Sequence, residues 1–325
     1  MISRLHYLTA AAFLVATTSH SPASLAADTV TFALAGGGSS WDFSVVDFGT
    51  RAGFFAEQGI EVDVAATDNT ANALQALIAG NADMANVGVT QFIGARLSGA
   101  PVKMISSTFK GASDWMWYVR SENPIESLAD LRPATTIGVN SFGSSQYIVL
   151  RAILDQYGVT PEIVAAGSNT AVLTQVMTGQ LEVGTDGNGL LGVPQYANGE
   201  IRPVAYGTEL EAMRQVSVRG LVVGEAVLTD RRDVVERFLR AYDKSVTWMY
   251  EDPRAFEWYA EKTGTSVAEV ERLIERHYPK GPMRVGNVTG IDVTVDQGLE
   301  FGRIERAPTK AEIDEMFEVV WKPGS

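Results

Sequence analysis

The chain has 325 residues, with 26 lysines and arginines against 39 aspartates and glutamates, a formal net charge of −13. A hydrophobic content of 46% and a charged content of 20% exclude disordered and fibrous classes, and an acidic chain without a Lys/Arg cluster is a poor ligand for nucleic-acid phosphates. The absence of cysteine removes disulfides, thiolate metal sites, iron–sulfur clusters and cysteine nucleophiles.

The amino terminus reads as an export signal over residues 1–26. Arg4 supplies its positive end, residues 5–18 are uncharged and rich in Ala, Leu and Thr, and Ser24-Leu25-Ala26 offers a small-residue cleavage site. The uncharged stretch is shorter than the roughly 20 apolar residues of a membrane span. No cysteine is available to carry a lipid, so the product is expected free in the periplasm. His6 and His20 leave with the signal, and only His277 remains, which excludes multi-histidine metal sites. His277 falls on the apolar stripe of a predicted helix, in its last turn, where a charged imidazole would suit the helix carboxyl end. It is assigned no chemistry.

Beyond the signal, strand and helix alternate. A strand at 29–35 ends in Gly36-Gly37-Gly38, and one helix is expected through Val45, Phe48, Ala52 and Phe55, stopped by Gly59. A strand at 60–65, a helix at 71–79, a strand at 83–87, a helix at 91–97 and a strand at 102–107 follow. A second α/β unit starts near Trp115, with strands at 116–120, 136–139, 162–166, 181–184 and 201–206 and helices at 146–157 and before Gly179. Short apolar strands separated by helices imply parallel sheets covered on both faces. After a strand at 216–223 the chain is mostly helical: Thr229 or Asp230 is expected to cap a long helix ended by Asp252-Pro253, and Ser266/Glu269 and Thr309/Glu312 have capping-box spacing. The reading is two lobes: 27–112 with 216–325, and 113–215.

Five motifs, in order between residues 53 and 183, then point to a family. The run from Gly53 to Val62 (GFFAEQGIEV) resembles a "G-F-F-x-x-x-G-hydrophobic-x-V" segment. Residues 79–83 (AGNAD) resemble an "aGxaD" helix-to-strand junction, and 99–103 (GAPVK) a "G-x-P-v-k" strand start. Residues 127–131 (SLADL) match an "sLaDL" turn, and 179–183 (GQLEV) echo a "G-x-v-D-A" junction. Together they resemble the substrate-binding proteins of ABC importers, of the nitrate/taurine/sulfonate type that includes thiamine-pyrimidine binders. The resemblance implies the type II periplasmic-binding-protein fold, an α/β architecture of two lobes with mainly parallel sheets joined by two crossover strands. It implies a small-molecule ligand in the interlobe cleft, a membrane permease as partner, and no cofactor. A monomer is expected.

In open parallel α/β sheets ligands bind beyond the carboxyl ends of the strands, near helix amino termini. That rule selects the loop after the first strand, where Ser39 and Ser40 can donate hydrogen bonds and Trp41 offers either a flat wall or a core side chain. It selects Asn69 and Thr90 on first-lobe loops, each also a candidate helix cap. On the first crossover it selects Lys110, the one basic residue foreseen on a cleft loop, and Trp115. In the second lobe it selects Phe142, Ser144 and Ser145 at a helix start, and Asp186, which ends a strand and is equally suited to an Asx turn. Serines at a helix start favour a small organic anion, a sulfonate or carboxylate, aromatic ones included. Asp114 and Asp186 allow an aminopyrimidine instead, and an enzyme or a periplasmic sensor on the same scaffold remains open.

Overall fold

A computed structural model describes residues 27–38, 40–142, 144–186 and 193–324. The expected export signal lies outside the described residues. The first half runs β1 (Asp28–Ala35), α1 (Val45–Arg51), α2 (Phe54–Glu57), β2 (Ile60–Thr67), α3 (Thr70–Ile78), β3 (Met84–Gly88), α4 (Val89–Leu97) and β4 (Val102–Lys110). The middle runs β5 (Met116–Arg120), β6 (Thr136–Val139), α5 (Ser145–Tyr157), β7 (Glu162–Ala165), α6 (Asn169–Met177), β8 (Val183–Asp186), α7 (Val193–Ala197) and β9 (Ile201–Tyr206). The last third holds β10 (Ser217–Gly224), α8 (Glu225–Asp230), α9 (Arg232–Glu251), α10 (Pro253–Thr263), α11 (Val267–His277), α12 (Ile291–Glu300) and α13 (Lys310–Met316).

The strands form two five-stranded sheets, ordered β2-β1-β3-β10-β4 and β7-β6-β8-β5-β9. In the first, β1 is parallel to β2 and β3 while β10 runs antiparallel to β3 and β4. In the second, β6 is parallel to β7 and β8 while β5 runs antiparallel to β8 and β9. The chain passes between the sheets twice, after β4 and after β9. The two passes lie side by side: the Gly111 N–H donates to Val216 O at 2.8 Å and the Gly207 N–H to Trp115 O at 2.8 Å. The approach at Gly207 is so close that a Cβ there would sit 1.8 Å from Ala112 O, so this crossing needs a residue without a side chain.

The sequence pattern explains most elements, and its failures have local causes. The single helix expected across Val45 to Phe55 is two, because Gly53 at φ 85° in the left-handed region breaks it between α1 and α2. Thr229 does not cap the long helix. It lies inside α8, where its Oγ1 donates to Glu225 O, and α9 starts after Arg231 instead. Asp252 ends α9 and also caps α10, a helix the pattern did not reveal, by accepting from the Arg254 N–H. The Ser266 and Thr309 caps form as spaced. The first lobe's core is aromatic: Phe32 stacks on Phe238 at 5.6 Å, and α1 and α2 rest on α9.

Candidate ligand site between the two sheets

Each sheet turns its carboxyl edge toward the other. Four helices begin there: α3 after β2, α4 after β3, α5 after β6 and α6 after β7. Free N–H groups at helix starts place partial positive charge on this shared boundary. β10 and β5 run antiparallel to their neighbours, so their first residues reach the same edges.

Asn69 joins the two sides. Its Oδ1 accepts from the Ala71 and Asn72 N–H groups at 3.0 Å each, capping α3, while its Nδ2 donates to Gly167 O at 3.2 Å before α6. One residue is therefore both helix cap and bridge. Thr90, in the first turn of α4, is 6% exposed. With Ile148, Val149, Ser217 and Gln297 it lines a crevice with room for about one water, ≈ 10 Å³.

The second-lobe loop is knitted from within. Asn140 Oδ1 accepts from the Ser141 N–H at 2.6 Å and the Ser144 hydroxyl at 2.5 Å. Ser144 stands at the N-cap of α5, yet its hydroxyl makes no cap bond and also donates to Ser141 O at 2.8 Å. Gln146, which sequence reasoning passed over, is fully buried and holds the loop: its Oε1 accepts from the Asn140 N–H at 2.6 Å, and its Nε2 donates to Asn169 Oδ1 and Thr185 O at 3.1 Å. Those bonds tie the tips of β6 and β8 to the start of α6. Phe142 is 42% exposed and meets Tyr147 edge-on at 5.4 Å. Ser145 is the first residue of α5; its side chain and Ser39 lie outside the described residues.

At the first-sheet edge sits a buried ion triad that the sequence reading missed. Arg219, near the start of β10, places Nε 2.9 Å from Asp42 Oδ2 and donates from Nη2 to Asp114. The three side chains are 3% exposed or less. The guanidinium lies 4.6 Å from the Phe109 ring centroid and 5.4 Å from that of Trp115. Ser40 is fully buried and its hydroxyl donates to Asp42 Oδ1 at 2.7 Å. Burial pushes the Asp114 carboxyl up to about 7, against the pull of Arg219. Burial also disfavours the charge on Arg219, but Asp114 and Asp42 more than offset this and keep it protonated.

Lys110 is the one basic residue foreseen here; Arg219 is a second, buried at the sheet edge. A charge inside the otherwise uncharged run Val216 to Val223 was the available signal, because a strand buried on both faces accommodates a guanidinium only beside a partner. Lys110 also differs from its expected place. It is the last residue of β4, paired in the ladder with Ser217, rather than part of a free loop. Trp41 is fully buried, with Phe48, Tyr250, Phe256 and Tyr259 at centroid distances of 5.2–6.1 Å. This is the packing of a core side chain. Asp186 ends β8 and is 2% exposed; its charge, after burial and Asp42, raises the phenol of Tyr259 on α10.

His277 corrects the expected charged imidazole. It is 1% exposed, its ring Nδ1 lies 3.2 Å from Ser113 O, and burial lowers its pKa to about 4, so it is neutral at pH 7. The unfolded chain protonates this group first, near pH 6.5, so the stability it contributes is whole above 6.5 and is lost as pH falls toward 4. Asp114, raised by burial, acts with the opposite sign over the same range. The expected signature is therefore a difference: between pH 7 and 5, wild type should lose on the order of 2 kcal/mol relative to His277→Gln. Urea melts at both pH values check this, and parallel pH profiles would refute it.

Two sheets with facing carboxyl edges, joined by two adjacent passes and bridged at Asn69, define a two-lobed periplasmic-binding-protein fold. Solved structures of that architecture superpose on it. The alkanesulfonate-binding protein SsuA of Xanthomonas axonopodis pv. citri, bound to MOPS, has a TM-score of 0.73 at 15% identity, over 89% of this chain and 97% of that one. SsuA of Escherichia coli, an aliphatic sulphonate binding protein, gives 0.68 at 14% over 91% and 92%. The desulfurization enzyme DszB gives 0.61 at 16% over 90% and 96%. The sequence matches the model of the "NMT1/THI5 like" family over residues 43–256, and the chain belongs to that family. No curated protein matches it. Among the described residues no group of His, Cys, Asp and Glu is arranged to hold a metal, and no helix is long and apolar enough to cross a membrane.

Proposed function

We propose that the chain is an extracytoplasmic solute receptor that captures a small organic molecule between its lobes and delivers it to the permease of an ABC importer. One observation carries this reading: four helix starts and two polar loops converge on a boundary that the Asn69 side chain already bridges. The lobes are 27–112 with 216–325, and 113–215. Residues 1–26 direct export to the periplasm, and the receptor works as a monomer without a cofactor. A sensor that presents the same solute to a membrane kinase would spare uptake when deleted; a transport receptor would not.

The helix starts and the Asn140–Gln146 loop support a sulfonate or carboxylate, aromatic ones included. A second reading has its own observation. The charge of Arg219 is already matched by Asp42 and Asp114, so it offers little to an anion, whereas two carboxylates to one guanidinium beside Trp115 leave an excess of acceptors that, with Asp186, suits an aminopyrimidine better. Binding rather than catalysis fits a chain without cysteine whose one retained histidine is buried and neutral.

Thermal-shift screening of sulfonates, carboxylates and aminopyrimidines tests all of this. A solute at 100 times its dissociation constant adds about 2.7 kcal/mol, a clear rise in melting temperature. The expected result is stable one-to-one binding within one of the three classes. No shift in any class would count against the reading, and consumption of the solute would turn it toward an enzyme.

A further inference from the structure

We propose that residues 301–303, in the turn just after α12, form a strap that holds the two lobes closed. The inference rests on the reading of two lobes that close on a solute. The backbone of the strap belongs to the first lobe: the Arg303 N–H donates to Gly298 O at 2.6 Å, the Ile304 N–H donates to the same oxygen at 2.9 Å, and Ile304 is buried among first-sheet side chains. The side chains cross to the second lobe. Arg303 Nη1 donates to Phe142 O at 3.0 Å, and its guanidinium lies 5.3 Å from the centroid of Tyr147 on α5. In return Arg151 of α5 lies 5.2 Å from the centroid of Phe301. Each lobe thus gives one cation and one ring. Neither arginine is ion-paired among the described residues; besides the two stacking contacts and the bond to Phe142 O, Arg303 Nε donates to Phe301 O at 3.4 Å, which holds the guanidinium within its own segment.

The position gives the strap its role. Phe142 belongs to the loop that Asn140 and Gln146 order at the start of α5, so Arg303 reads whether that loop is in place. Arg303 also lines a groove of about 930 Å³ between α3, α4 and residues 303–306. The groove shares Thr90 and Ile148 with the crevice that reaches Ser217 and Gln297. The strap therefore stands at the mouth of a path toward the sheet edges. Stacking contacts at exposed sites are individually weak, which suits a closure that must reopen to release solute.

The test needs no solute, so it stays interpretable even if the receptor reading fails for want of a ligand. The chain lacks cysteine, and spin labels at Glu315→Cys on α13 and Gln156→Cys on α5 report the interlobe distance by pulsed electron resonance. The labelled parent is expected to show a closed population at the distance seen here. Arg303→Ala should reduce that population by roughly threefold or more, and Tyr147→Leu should do the same. The double variant should add little to either single one, as two ends of one contact do. Arg303→Lys should restore closure only in part, because an ammonium lacks the planar stacking face. A parent with no closed population, or single variants matching the parent, would overturn the proposal.

Discussion

Arg219→Leu is expected to cost about 3–5 kcal/mol of stability at pH 7, the penalty for leaving Asp42 and Asp114 buried without their shared cation. Removing one partner of a buried cluster costs more than the cluster contributes, because the groups left behind either keep the desolvation penalty of a charge or, as Asp114 is already close to doing, must take up a proton. Adding Asp42→Asn and Asp114→Asn to Arg219→Leu should therefore recover part of the loss rather than deepen it. Denaturant melts of the single and triple variants measure this directly. A single variant within 1 kcal/mol of wild type, or a triple variant less stable than the single, would show that the triad does not bear on the fold as described.

Trp41→Ala should be comparably severe, about 3–5 kcal/mol, since it empties the space among Phe48, Tyr250, Phe256 and Tyr259. What distinguishes a core tryptophan from a cleft wall is how the effect divides between stability and affinity. The melting temperature should fall sharply, while the surviving folded protein keeps its affinity for a solute found by screening. The opposite division, with stability intact and binding lost, would return Trp41 to the ligand.

The order and type of the elements were largely legible because buried parallel strands and amphipathic helices leave strong periodic signals. The strand at 136–139 and that at 201–206 fall where the pattern placed them. Capping residues were legible where they face only their own helix, as at Ser266 and Thr309. The helix after Asp252 was not, because the aspartate and proline that end one helix also begin the next. The candidate site was half legible. Rules about strand tips found Asn69, Thr90 and the loop around Ser144, since position alone selects them. Arg219 and Gln146 act by tying together residues far apart in the chain, Arg219 to Asp42 and Asp114, and Gln146 to Asn169 and Thr185. No local spacing encodes such partnerships. Arg303 lies in the same position: only the fold brings it from the turn after α12 to the Phe142 carbonyl.

The most direct measurement is a crystal structure of the chain with the solute that raises its melting temperature most. The account predicts that solute between the two sheet edges, within hydrogen-bond reach of the Asn140–Gln146 loop on one side and of Asn69 or Thr90 on the other. A solute bound on an outer face, with the interlobe boundary unchanged and empty, would contradict it.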